Sequence, residues 1–305
     1  MIDNTVLAFM VITVILAGIA ILGPFGWIYF QAKDKETGII GSFGLGALGY
    51  FWSQYLLTIP VLWILMMFDG FMKIYNDNSY YVAYILITSA ILSILGTLAR
   101  YWCIWLMNRH VPSLYRALSS GVGFSVIGSI SVITAYITYV KYSNILNKSG
   151  AAGLSELLKA NNASVTDLQI ENIVSQLTGT SAINIAFEGI NVIMVVFVEM
   201  ALIALIYEGY IRHKSLIATL ISCGINIVYS FLTMLIRGLA TEKMGNVLST
   251  ETGTLIYNAF TLICGLVAVW FVYGSVMRYK VVSKEGPYAH YAYFEMKDDK
   301  AKKEV

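Results

Sequence analysis

Apolar residues fill seven long runs along the chain, at 5–30, 39–68, 80–107, 116–140, 183–210, 214–236 and 254–278. A hydrocarbon layer about 30 Å thick takes roughly 20 apolar residues in helical conformation, and each run is long enough. Inside a bilayer a helix satisfies its own backbone hydrogen bonds, so the pattern predicts an all-α polytopic bundle of about seven transmembrane helices. The first run follows an acidic start, MIDNT, and its apolar core is too long for a signal peptide. It reads as an uncleaved span. Gly23-Pro24 is expected to kink it.

One connection, 141–182, is long. Its LSELLKA and DLQIENIVSQL stretches carry apolar residues at helical spacing. Leu168, Ile170, Ile173, Val174 and Leu177 would share one face, either on the outer membrane surface or packed on the bundle. Asn147-Lys-Ser and Asn162-Ala-Ser match the glycosylation pattern, which is common by chance. The domain reading is a transmembrane bundle over residues 1–280, with an extracytoplasmic loop at 141–182, and a tail over 281–305. That tail mixes lysines with Tyr288, Tyr291, Tyr293 and Phe294; Lys280 and Lys284 stand near enough to the last span to meet anionic headgroups.

Composition sharpens this picture. The chain is 58% hydrophobic and only 12% charged, against about 25% charged in soluble domains, so the solvent is the lipid bilayer. A net charge of +2 gives no reason to expect nucleic acid as a partner. Lys33, Lys35, Arg109, Arg116, Arg212, Lys214, Arg278 and the tail lysines fall on one side of the membrane; Lys73, Arg237 and Lys243 fall on the other. The excess of basic residues predicts an outside N-terminus and a cytoplasmic C-terminus, in a bacterial plasma membrane.

Polar groups inside the spans mark candidate sites, because ionisable side chains there are costly and face the bundle interior. Ser89, Ser93, Gly96, Thr97 and Arg100 form a stripe on the third span. Small residues Gly121, Gly123, Ser125, Gly128 and Ser129 line the fourth, where backbones can approach closely. At about 100° per residue, Asn184, Glu188, Asn191 and Glu199 share a broad face of the fifth; Glu208 lies off it and is expected to reach water. Ser222, Asn226 and Ser230 repeat every four residues on the sixth, beside Tyr229 and Thr233. Two readings fit these stripes. One is a polar cavity in the cytoplasmic half. The other is structural, with Arg100 paired to Glu199 or Glu188 and hydroxyls bridging the helices.

The test for hydrolytic chemistry is harsher. A catalytic zinc takes three protein ligands and leaves a position for water. His110, His213 and His290 all lie in connections or the tail, and Cys103, Cys223 and Cys264 are scattered singly through the spans. The same lack of a nearby base weakens any serine or cysteine nucleophile.

The run GALGYFWSQYLLTIPVLWIL, residues 46–65, resembles the second span of the YhfC family of intramembrane metalloproteases, distant relatives of the CAAX-type prenyl proteases and the PrsW group. LARYWCIWLMNR and YRALSSGVGFSVIGSI continue the resemblance, which covers most of the chain apart from the long loop and the tail. It implies an EExxR pattern on the third span, where this chain has Gly96, Thr97 and Arg100. It also implies a histidine and a glutamate on the fourth, where Phe124 and Gly128 stand. An HxxxD-like pair on the sixth aligns with Ser222 and Asn226. Glu199 matches an acidic position on the fifth. The resemblance therefore implies a kept scaffold without its ligands: no cofactor, no confident catalytic residue, and a role in binding a membrane partner or transmembrane segment. Two alternatives stay open. One is an active protease, with zinc, whose groups have moved to Arg100, Glu188 and Glu199, with His213 as a further candidate. The other is passage of a small solute along the polar stripes.

Overall fold

A computed structural model describes residues 2–33, 37–107, 113–162, 164–179 and 181–282. All regular structure among these residues is helical, and seven helical segments are long and apolar enough to cross a membrane. The segments are α1 (Asn4–Ala32), a composite second span over Ile39–Met66, α5 (Tyr81–Met107), α6 (Leu114–Asn161), α8 (Ala182–Ile211), α9 (Ser215–Gly238) and α10 (Thr250–Val282). Each overlaps one predicted run. Lys35, Arg109, His110 and the tail residues from Lys284 onward lie outside the described residues.

The second span is built in three pieces: α2 (Ile39–Phe51), a π-helical segment Trp52–Thr58, and α3 (Ile59–Met66). Pro60 follows the π segment, lacks an N–H and crowds the carbonyls a turn before it. Thr58 Oγ1 donates to the Ser53 carbonyl at 2.7 Å, satisfying one group that the altered winding releases. A short helix, α4 (Asp69–Asn76), then leads back toward α5. By contrast α1 runs through Pro24 as one helix.

The fourth span does not stop at 140. Helix α6 continues past Lys141, with Ser143 and Leu146 still buried, and breaks only at Gly150 (φ 67, ψ −171). Only glycine adopts that conformation without strain. Polar residues end the hydropathy of this helix, but packing on the first span carries it further. Beyond the break, Leu154 and Leu158 pack with Ile170 and Leu177 of α7 (Asp167–Gly179) and with Ile2, Met10 and Ile185 of the bundle. The loop helix is therefore docked on the bundle. Ile173 and Val174 sit at the edge of that cluster, whereas Leu168, expected on the same face, is exposed. Asn147 clasps the chain start from both sides: its side-chain oxygen accepts from Ile2 N at 2.7 Å and its Nδ2 donates to the Ile2 carbonyl at 3.0 Å.

Helix α8 is the centre, packed against α1, α5, α6, α9 and α10. Glycines set how near the others come. A Cβ on Gly123 would lie 1.9 Å from the Phe43 carbonyl oxygen, and one on Gly46 would lie 2.0 Å from that of Ser120, so α2 and α6 meet backbone to backbone. Gly121 does the same toward Met200 of α8 (2.8 Å to its Cα). Gly128 faces open space. Ser125 and Ser129, also expected to support close approach, donate to carbonyls of their own helix.

Gly123→Ala should accordingly cost about 1–3 kcal/mol through overpacking, while Gly128→Ala should be neutral or slightly stabilising. Unfolding by SDS titration of the purified variants in mixed micelles measures both. Equal effects at the two positions would contradict the backbone contact.

Candidate functional site

Arg100 lies in the middle of the bundle on α5, one turn after Gly96, with its side chain only 3% exposed. Its guanidinium meets Glu199 of α8 as a fork: Nε donates to Oε2 at 2.8 Å and Nη2 to Oε1 at 2.9 Å. This arrangement matches the planar geometry of both groups and is the strongest form of such a pair. The guanidinium also lies over the Phe124 ring of α6, 4.5 Å from its centroid. Away from water that contact adds roughly 2 kcal/mol. Tyr50 of α2 sets its edge against the same ring, with centroids 5.3 Å apart.

Local sequence explains how four helices converge here. Gly49 leaves room for Cys103 and the Phe124 ring, since a Cβ there would lie 2.8 Å from Sγ. Gly121 and Gly123 draw α6 onto α8 and α2, which brings Phe124 beneath the charge. Gly96 lets Arg100 Nη1 and the side-chain nitrogen of Gln54, which comes from the π segment, close on α5: a Cβ there would lie 3.4 Å and 3.1 Å from them. Arg100 Nη1 and Thr97 Oγ1 are both buried without a hydrogen-bond partner.

The remaining polar positions go elsewhere. Glu188 accepts from the Tyr136 hydroxyl at 2.5 Å. It shares the Glu199 face, but eleven residues along a helix separate them by about 16 Å. Asn191 donates to Asn258 of α10 at 2.5 Å, and Asn184 is buried near the start of α8. Ser222 is fully buried and donates to the Leu202 carbonyl of α8 at 3.3 Å; Asn226, one turn further along α9, is also buried. Ser93 and Ser230 bring their hydroxyls to 3.4 Å, and Ser89 approaches the Met234 sulfur at 3.4 Å, so the α5 and α9 stripes do face each other. Glu208, expected to reach water, is partly exposed and also takes polar partners. Its side chain is 16% exposed, takes a hydrogen bond from Ser275 at 2.7 Å and pairs with Arg278, with Arg212 3.6 Å away. The last turns of α10 lie against α8 at that point.

Gln54, Tyr50, Tyr136 and Asn258 escaped the sequence reading. Asn258 is the single asparagine of its apolar run and Gln54 the single glutamine of its own, so both carried a signal. The tyrosines carried none, because Tyr is common throughout this chain.

The residues at the centre do not fit a zinc site. Zinc takes imidazole, thiolate or carboxylate ligands. Gly96, Phe124 and Gly128 offer no such atom, Thr97, Ser222 and Asn226 offer neutral oxygens, and both Glu199 oxygens are held by Arg100. Among the described residues, no three His, Cys, Asp or Glu side chains come together.

Seven apolar spans around a buried polar centre define a multi-pass membrane protein. Residues 19–247 match the YhfC intramembrane metalloprotease family, about three quarters of the chain, and the protein belongs to that family. No curated protein matches it.

Removing one partner of a buried pair strands the other charge, at a cost of about 3–5 kcal/mol. Arg100→Met and Glu199→Leu should each destabilise the protein strongly. The double variant Arg100→Met/Glu199→Leu should lose less than the two single losses added together. A double-mutant cycle from SDS-unfolding midpoints reads this; additive losses would mean that the pair does not couple.

Proposed function

We propose that this chain is a degenerate member of its family that binds a transmembrane segment of a partner protein without cleaving it, in a bacterial plasma membrane with its N-terminus outside. The observation that carries this reading is the state of Glu199. The acidic group at the centre of the bundle is tied at both oxygens to Arg100, and Phe124, which the resemblance aligns with a histidine of the family, lies against that cation. A general base must have a free lone pair within reach of the proton it takes. A ligand must likewise turn an unshared oxygen to the metal. Here Arg100 already binds both oxygens, and its positive charge beside them repels a metal cation.

What survives is a set of helices held in place by glycines and a neutralised ion pair, with hydrogen-bonding groups at its centre. That is a scaffold for recognising a helix. The relocated-protease alternative has less support, because Glu188 is engaged with Tyr136, about three turns of α8 from Glu199. His213 follows the end of α8, where it adopts φ 54 between Arg212 and Lys214, two cations that disfavour a bound metal.

Elemental analysis of the detergent-purified chain, paired with a cleavage assay on single-span reporter peptides, tests the proposal. The expected result is well under one zinc per chain and no chelator-sensitive cleavage. Near one zinc per chain, with cleavage lost on chelation and restored by zinc, would overturn it.

A further inference from the structure

We infer that Glu188 is a binding point for a primary ammonium group carried into the membrane on an apolar chain. The site lies apart from the Arg100 centre and stands whether or not the chain binds a partner helix.

Helix α8 carries three carboxylates, and two of them hold an arginine: Glu199 pairs with Arg100 and Glu208 with Arg278. Glu188 holds none. Its Oε2 takes a hydrogen bond from the Tyr136 hydroxyl, and its Oε1 makes no hydrogen bond or ion pair among the described residues. That oxygen is not sealed off. Glu188 is half-buried, and Oε1 is absent from the shielded side-chain atoms that lack a partner. An incoming group therefore meets an open oxygen.

The surroundings agree. Glu188 shares the interior side of α8 with Glu199, whereas Ile183, about 140° round the helix, is 64% exposed. Phe124 is 1% exposed, but Gly128, one turn along α6 toward Tyr136, is exposed, and a Cβ there would meet nothing within 4 Å. The packing that seals the ion pair on that side of α6 has ended before the helix reaches Tyr136. Tyr139, whose ring centroid lies 5.5 Å from that of Tyr136, is 36% exposed.

Depth and donor count select the ligand. Gly189, next in the chain, is pressed against α1, where its Cβ would lie 3.2 Å from Thr13 Cα. Thr13 follows the start of α1 at Asn4 by nine residues, about 14 Å along the axis. A carboxylate at that depth calls for a counter-charge. Calcium and magnesium want roughly six or more oxygen ligands, and no three His, Cys, Asp or Glu side chains come together among the described residues. A guanidinium uses both oxygens of a carboxylate in its fork, and Tyr136 already holds one. A primary ammonium is a compact charge that a single open oxygen can meet, and tyrosine rings nearby add to its attraction. Its carrier must be apolar to reach the site. Either an amphiphilic amine or a lysine side chain of a membrane helix supplies that chemistry.

The test uses the full chain in phosphatidylcholine nanodiscs and radiolabelled dodecylamine, read by scintillation proximity against empty nanodiscs. Saturable binding near one amine per chain is expected. Dodecanol should not compete, and dodecylguanidine should compete several-fold less well than unlabelled dodecylamine; neither comparison needs a variant. Glu188→Gln should weaken binding about tenfold or more, while Glu188→Asp, which keeps the charge, should retain part of it. Unchanged SDS-unfolding midpoints show that both variants are folded. Two Leu/Ala-rich single-span peptides, with lysine or norleucine at one position, separate the sources. Displacement of the amine by the lysine peptide alone assigns the site to a protein side chain, and displacement by neither assigns it to a free amine. No saturable binding, an affinity unchanged in Glu188→Gln, equal competition by dodecanol or dodecylguanidine, or displacement by both peptides alike would each overturn the site.

Discussion

A cation buried among membrane-spanning helices must be neutralised, and much of this structure follows from how Arg100 meets that requirement. Its partner, Glu199, stands on the helix that touches most of the others. Both side chains are planar, so the fork that joins them fixes the rotation of α5 against α8 as well as their separation. The aromatic face of Phe124 then closes the remaining side of the guanidinium. Three helices are committed to one charged group, and each would have an unsatisfied or badly solvated side chain if it moved. Elsewhere the helices are joined by a long hydroxyl contact between α5 and α9, an amide pair between α8 and α10, the Tyr136–Glu188 hydrogen bond between α6 and α8, and the Glu208–Arg278 pair near the ends of α8 and α10.

Glycine supplies the second constraint. Lipid gives helices no hydrophobic reason to associate, so close van der Waals contact has to provide it. Gly46, Gly121 and Gly123 let three backbones meet around the ion pair. The same contact that holds α6 in place is what puts Phe124 beneath Arg100. Small residues and the buried charge therefore act as one assembly: the glycines set the distance and the ion pair sets the orientation. Gly96 differs from them, since side-chain nitrogens rather than backbone close on it.

Much of this arrangement could be read along the chain. Seven spans, the cost of burying Arg100 and Glu199, and the close-packing role of Gly121 and Gly123 all follow from residue type and spacing. The choice between Glu188 and Glu199 as partner for Arg100 did not. Both lie on one face of the fifth span, and only the relative height of α5 and α8 decides which meets the arginine. The partners of Glu208 were hidden for a related reason: Ser275 and Arg278, which bind it near the end of α8, come from a helix remote in sequence. The extension of α6 to Asn161 was missed because hydropathy falls at Lys141, whereas helicity persists until a glycine conformation breaks it.

The sequence by itself determined that this is a seven-span helical membrane protein of a recognisable family, because lipid imposes helix length and apolarity on every span separately and those constraints act locally. Tertiary structure alone decided which polar group meets which, that the second span winds as a π-helix over Trp52–Thr58, and that Gln54 and Arg100 close on Gly96. Those outcomes depend on the height and rotation of one helix against another. Such quantities are set by contacts among residues far apart in the chain, and no periodicity within a single span encodes them.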